Sequence, residues 1–283
     1  MRNINYKFHR RIDINCGKYE LNLGTRTLIM GILNVTPDSF SDGGDYTQVD
    51  VAVKHAKAMA SEGADILDIG GESTRPGAQE VDAAQELERV LPVVQRLVGE
   101  VDLPISVDTY KAKVAEEVLK AGAHIINDVW GLQRDPNIAS VIAKYDAPVI
   151  IMHNRKNTEY KKDIIEEICD FFKKSIDIAL KAGIKKENII LDPGIGFGKT
   201  PEQNMVIMSR LGEFNDLGYP VLLGTSRKSM IGKILDLPPK ERVEGTLSTT
   251  VMGIIQGVDI VRVHDVKENV RAAKVTDAIV RGI

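Results

Sequence analysis

Short runs of aliphatic and β-branched residues recur along the chain, at Leu28–Leu33, Ile66–Ile69, Pro104–Val107, His124–Ile126, Pro148–Met152, Ile189–Leu191, Val221–Leu223 and Ile260–Val263. Each ends in polar or glycine residues. Most lead into a segment with helical apolar spacing, such as Val49, Ala52, Val53, Ala56, Met59 and Ala60, or Leu87, Val90, Leu91, Val94 and Leu97. Gly63, Gly122, Gly183 and Gly257 fall where a helical pattern stops and the next strand begins, the place for a left-handed helix cap. Apolar runs without polar alternation predict strands buried on both faces, as in a parallel sheet covered by helices. Eight strand-then-helix units in 283 residues predict an α/β fold, a (β/α)8 TIM barrel, as a single domain over residues 28–283. A doubly wound open sheet is the competing architecture. Residues 1–27 predict an N-terminal β-hairpin extension that turns at Cys16-Gly17-Lys18 and closes the barrel floor.

Composition narrows the class of partner. With 43% hydrophobic and 27% charged residues the chain falls in the globular range, and 37 basic against 40 acidic residues give a net charge of −3. That balance excludes a main partner that is a polyanion, so small-molecule substrates are expected, with no nucleic acid and no membrane. The longest uncharged stretch, Gly245–Val258, is too short to span a bilayer. Cys16 and Cys169 form neither a CxxC pair nor a metal-ligand spacing, and charge interrupts every apolar run near Met1. A reducing, cytoplasmic location is the expectation.

In a barrel of this type the reacting groups lie at the C-terminal ends of the strands. Those ends carry Asn34, Asp68, Asp108-Thr109, Asn127-Asp128, His153-Asn154, Asp192-Pro193-Gly194, Ser226-Arg227-Lys228-Ser229 and Arg262 with His264-Asp265. One such residue is usually a turn or a cap; eight at one rim form a site. Carboxylates, amides and cations together suit a ligand that has both N–H donors and an anionic phosphate. Two phosphate or nucleophile motifs fail on inspection. Gly194-Ile195-Gly196-Phe197-Gly198-Lys199-Thr200 ends like a Walker loop but has Pro193 where the first glycine is required, and Gly224-Thr225-Ser226-Arg227-Lys228 lacks the last glycine of a nucleophile elbow. Lys228 is compatible with Schiff-base chemistry and, at least as well, with simple donation to ligand oxygens.

Five segments carry a resemblance: Gly31–Gly44, Asp68–Ala78, Asp192–Lys199, Ser226–Ser229 and Arg262–Val266. In this order they resemble the dihydropteroate synthases of the pterin-binding barrel group, over about residues 28–283. The resemblance implies condensation of 6-hydroxymethyl-7,8-dihydropterin pyrophosphate with p-aminobenzoate to 7,8-dihydropteroate and pyrophosphate, with Mg²⁺, in a homodimer and as a sulfonamide target. It implies pterin binding by Asp108, Asn127, Asp192 and Lys228, and pyrophosphate binding by Asn34, Thr74, Arg75, Arg262 and His264. Asn34 would also hold the metal. Phe197, Lys228 and Ser229, with the loops near Asp38 and Pro76, would frame the aminobenzoate pocket. Asp108, Lys228, Arg262 and His264 are the expected catalytic set.

Asp68 and Glu72 serve equally well as loop-ordering carboxylates and stay outside the expected core site; His153 has a similar structural reading. The stretch Arg155–Glu159 lacks the Gly/Pro content seen in some members of the group. Two rival functions share the barrel: a methyltetrahydrofolate-corrinoid methyltransferase and a catalytically silent pterin-binding protein. The methyltransferase has no use for a pyrophosphate clamp, and a silent binder would show these loops eroded; Arg75, Arg262, His264 and the Asn34 loop are all present.

Overall fold

A computed structural model of the protein describes residues 11–36, 45–73 and 80–282. Within them the predicted runs become eight parallel strands: β3 (Leu28–Asn34), β4 (Ile66–Gly70), β5 (Ile105–Asp108), β6 (Ile125–Asp128), β7 (Val149–Met152), β8 (Ile189–Asp192), β9 (Leu222–Leu223) and β10 (Ile260–Val263). They pair in the order β8-β7-β6-β5-β4-β3-β10-β9. A parallel bridge between Leu191 and Val221 joins the two ends, and Leu191 N–H donates to Pro220 at 2.9 Å. The sheet therefore closes, which settles the barrel against the open sheet.

Closure gives each strand two interiors. Leu28, Met30, Ile66, Ile125, Ile150 and Ile190 share one apolar cluster about the barrel axis, while Ile29, Leu67, Ile105, Ile126, Val149 and Ile189 belong to another that includes the helices. Successive side chains alternate between the two, and both are buried. The outer layer is built by α1 (Asp45–Glu62), α2 (Ala83–Glu100), α3 (Ala112–Lys120), α4 (Ile138–Lys144), α5 (Ile164–Ala182), α6 (Pro201–Ser209), α7 (Ser229–Leu235), α8 (Val243–Ile255) and α9 (Val266–Arg281). The expected left-handed caps are present; Gly183 ends α5 at φ 96°, its N–H bonded back to Ala179 and Leu180. One unit departs from simple alternation, because two helices separate β9 from β10. Asp236 caps α7 in the left-handed region at φ 55°, and Pro238-Pro239 cannot continue a helix, so the chain starts again as α8. None of the described helices is long and apolar enough to cross a membrane.

The N-terminal hairpin is β1 (Ile12–Cys16) paired antiparallel with β2 (Tyr19–Leu23), with Gly17 at φ 68° in the turn. Its alternate residues Ile14, Cys16, Leu21 and Leu23 are buried against Leu28, Ile66, Ile125 and Ile150 at the strand beginnings. The hairpin thus plugs the floor, as its pattern predicts, and leaves the opposite mouth for chemistry. Ile14 is fully buried in that plug, so Ile14→Ala is expected to cost about 2–5 kcal/mol of stability. Urea unfolding of the purified chain checks this.

Candidate active site

Along the barrel axis the inward residues change character from floor to mouth. On β4 they run Ile66, Asp68, Gly70; on β6, Ile125 and Asn127; on β8, Ile190 and Asp192; on β10, Ile260 and Arg262. Period-two alternation that buries an aliphatic side chain at a strand's start presents an ionisable one at its end. Of the residues expected at the site, Asn34, Asp108, Asn127, Asp192, Phe197, Lys228, Ser229, Arg262 and His264 are described; Thr74, Arg75 and the loops near Asp38 and Pro76 lie outside the described residues.

Arg262 ties the mouth together. Its Nε donates to Asp68 Oδ2 at 2.6 Å and its Nη2 to Asp108 Oδ2 at 3.0 Å, and Asn127 Nδ2 donates to the same Asp68 oxygen at 3.2 Å. Asp68, left outside the expected core site, is fully buried at its centre. Strand parity is the signal that finds it: Asp68 sits two residues before Gly70, on the same inward face. Three atoms at this level, Asp68 Oδ1, Ser106 Oγ and Asn127 Oδ1, are buried without a protein partner.

Two glycines keep the mouth clear. A Cβ on Gly224 would stand 3.8 Å from Asp192 Oδ2, 3.9 Å from Lys228 Nζ and 4.0 Å from Arg262 Cβ, so groups from β8, β10 and the loop after β9 converge there. A Cβ on Gly70 would stand 3.6 Å from Asn34 Oδ1 and 3.8 Å from Asp108 Cβ. Asp192 accepts from Gly194 N–H at 2.7 Å through Oδ1, and Lys228 Nζ donates to the Ile195 carbonyl while lying 4.6 Å from the Phe197 ring centroid. Ser229 is exposed at the start of α7. Ser226 Oγ accepts from the His264 backbone at 3.1 Å and lies 2.9 Å from its Nδ1, which fixes the imidazole beside β10.

Burial dominates the electrostatics. It pushes Asp108 up to about 8, against the opposing pull of Arg262 and with the help of Asp68, and it raises Asp192 despite Lys228. It lowers Lys228 to about 8, with Asp192 opposing and Arg262 reinforcing. Arg262 is held above its ordinary value because Asp68 and Asp108 outweigh its own desolvation. Outside this cluster, Glu72 is paired with Lys111 and accepts from the Tyr110 hydroxyl at 3.3 Å, and Lys111 also bridges to Glu86. His153 is buried against Lys199. Both were open on sequence alone, and both face their neighbours in the fold.

A closed (β/α)8 barrel with an ionic pocket at its C-terminal mouth defines the class, a barrel enzyme acting on a small polar ligand. The family model described as pterin binding enzyme matches residues 30–264. The chain is 59% identical to the dihydropteroate synthase of Clostridium beijerinckii, over 94% of this chain and 98% of that one. It is 56% identical to the Bacillus subtilis dihydropteroate synthase, over 92% and 90%. Among solved structures, the Clostridium difficile dihydropteroate synthase, determined in the presence of pteroic acid, superposes with a TM-score of 0.91 at 64% identity, covering 92% of this chain and 99% of that one. The chain belongs to the pterin-binding enzyme family and, within it, to the dihydropteroate synthases.

Because Asp108 is raised from an ordinary 3.8 to about 8, folding favours its protonated form. Its contribution to stability is therefore full below about pH 4 and is lost as pH rises through about 8. The ¹³C carboxyl resonance of Asp108 in the ligand-free protein should titrate far above the usual aspartate range. Asp68→Asn, which removes a neighbouring negative charge, should move that midpoint down, and Arg262→Met should move it up.

Proposed function

We infer that the protein joins 6-hydroxymethyl-7,8-dihydropterin pyrophosphate to p-aminobenzoate, forming 7,8-dihydropteroate and releasing pyrophosphate. The observation that carries this is the mouth itself: Arg262 bonded to Asp68 and Asp108, with Asp192 and Lys228 meeting across Gly224. Such a pocket accepts ring N–H donors on its carboxylates and amide, and an anionic tail on its cations. The relatives add chemistry of matching shape, since Xanthomonas albilineans dihydropteroate synthase has been solved with 4-aminobenzoic acid and with 7,8-dihydropteroate.

In the reaction the bond from the pterin methylene carbon to the pyrophosphate oxygen breaks, and its electron pair leaves with pyrophosphate. The lone pair of the aryl amine then forms the carbon–nitrogen bond, and the nitrogen gives up one proton to water. Positive charge develops on the pterin and negative charge on the leaving group, so each needs a fixed partner that gains strength in the transition state. Asp108, Asn127 and Asp192 hold the pterin edge, with Lys228 on its carbonyl side. Arg262 and His264, joined by Asn34, Thr74 and Arg75, take the pyrophosphate, and Phe197, Lys228 and Ser229 border the aminobenzoate.

Mg²⁺ fits this donor set. Asn34 offers a neutral amide oxygen beside Asp108, above Gly70. Among the described residues no three His, Cys, Asp or Glu side chains gather as a cage, and Mg²⁺ requires none where waters and phosphate oxygens complete its shell. When bound it would neutralise charge on the departing pyrophosphate. A homodimer has support in the exposed apolar side chains of consecutive helices, Met205 and Val206 on α6, Ile234 and Leu235 on α7, Met252 on α8, and Val275 and Ile279 on α9. A cytoplasmic setting accords with the free thiols of Cys16 and Cys169. Sulfonamide binding in the aminobenzoate pocket belongs to the same reading, and a sulfonamide complex of the Yersinia pestis dihydropteroate synthase has been solved.

The test is pyrophosphate release by the purified chain with dihydropterin pyrophosphate, with and without p-aminobenzoate and Mg²⁺. Release should require Mg²⁺ and match dihydropteroate one for one. Arg262→Ala should lower turnover by about a hundredfold to a thousandfold. Tight pterin binding with no dihydropteroate under any condition refutes the proposal in favour of a silent binder.

A further inference from the structure

Lys199 and His153 are buried ionisable groups that the reaction just described does not use. Lys199 closes the loop after β8, and its side chain turns back beneath that loop. Its Nζ lies 2.8 Å from His153 Nδ1, 2.8 Å from the Gly194 carbonyl and 2.9 Å from the Phe197 carbonyl. Two backbone carbonyls and one imidazole nitrogen surround the Lys199 amine, none of them a carboxylate, and burial lowers its pKa well below the ordinary lysine value. The carbonyl between them in sequence, that of Ile195, accepts from Lys228 instead. Two lysines thus hold one loop from two sides, Lys199 from within the fold and Lys228 from the pocket.

The loop is seated tightly. Gly194 is at φ 65°, and a Cβ there would overlap the His153 carbonyl oxygen; Gly196, at φ 85°, lies against the Lys228 stem. Phe197 is carried between these points, its carbonyl bound to Lys199 and its ring 4.6 Å from Lys228 Nζ. Thr200, the other half of the Walker-like ending, acts elsewhere. Its hydroxyl accepts from Gln203 N–H and forms the capping box that starts α6. The lysine-threonine pair therefore anchors the loop inward and launches a helix.

We propose that Lys199 is a positioning residue for the aminobenzoate half of the reaction, fixing the carbonyls of Gly194 and Phe197 and thereby placing the Phe197 ring against Lys228. His153 completes the arrangement as the hydrogen-bond partner supplied by the neighbouring strand end. The inference rests on the function proposed above and extends it to a residue that touches neither substrate.

Lys199→Met keeps most of the aliphatic stem and removes the amine. In the full chain it should raise KM for p-aminobenzoate by about tenfold or more, since small misplacement of a binding group is costly. Affinity for dihydropterin pyrophosphate should change far less, because Asp108, Asn127 and Asp192, three of the four residues assigned to the pterin, are strand residues of β5, β6 and β8. Combined with Phe197→Ala, it should add little to the effect of Phe197→Ala alone, because the two act through one ring. Equal loss for both substrates, or additive effects in the double variant, would mean a merely structural lysine and overturns the proposal. Where Lys199→Met does not fold, His153→Leu removes one of the three hydrogen-bond partners, and a folded His153→Leu protein with unchanged KM for aminobenzoate overturns it as well. A wild-type chain that forms no dihydropteroate overturns the proposed function and this inference together; an active wild type with an unmoved KM in folded Lys199→Met overturns this inference alone.

Discussion

A guanidinium keeps its charge at any pH at which proteins fold, so Arg262, within 2.6 Å of Asp68 and 3.0 Å of Asp108, fixes a permanent cation inside the barrel. Removing ions from water costs several kcal/mol each, and a pair recovers this only with good geometry and further hydrogen bonds. Asn127 supplies one such bond to Asp68. Burial is the main reason Asp108 resists ionisation, outweighing the pull of Arg262, and the Asp68 carboxylate on the same guanidinium adds to it. The rest of the barrel has to stabilise this arrangement. It does so at the other end, where Ile14 and Leu23 of the hairpin close an axis filled by Leu28, Met30, Ile66 and Ile125. The apolar floor carries the stability that the ionic mouth consumes.

How much of this was legible in sequence follows from what sequence records. Strand positions were, because burial on both faces leaves unbroken apolar runs, and so were the glycine caps and most rim residues, which lie where those runs stop. Asp68 is hard to place from sequence for a physical reason: it lies inside its strand, and its pairing depends on inward parity and on Arg262, 194 residues away. Gly70 and Gly224 were equally silent, since a glycine that makes room is indistinguishable in sequence from one that makes a turn. Glu72 pairs with Lys111 and Tyr110, which lie after the following strand, a long-range contact that the local sequence does not mark. The doubling of helices after β9 was marked by Pro238-Pro239, a stop signal that the count of eight units passed over.

The loop after β8 shows how a glycine-rich segment acquires definite shape. Gly194, Gly196 and Gly198 all have positive φ, so the backbone is free of side-chain constraint where it must turn most sharply. Conformation is then imposed by hydrogen bonds to its carbonyls, and lysines suit that role because an ammonium donates in several directions at once. Both lysines use backbone acceptors, and burial lowers the pKa of each, against the opposing pull of Asp192.

The placement of the remaining charges gives the mouth a direction. Arg262 comes from β10 and Lys228 from the loop after the neighbouring β9, with Asp192 of β8 beside it, whereas Asp68 and Asp108 come from β4 and β5, also neighbours. A ligand at this mouth meets Asp68 and Asp108 toward one arc of the rim and the Lys228–Asp192 pair toward another, with Arg262 reaching across to the first. The field at the mouth is set in advance by side chains whose positions the barrel determines. Preorganised dipoles and charges of this kind need not reorient as the reaction proceeds, and that saved reorganisation is the main electrostatic advantage a folded site has over water.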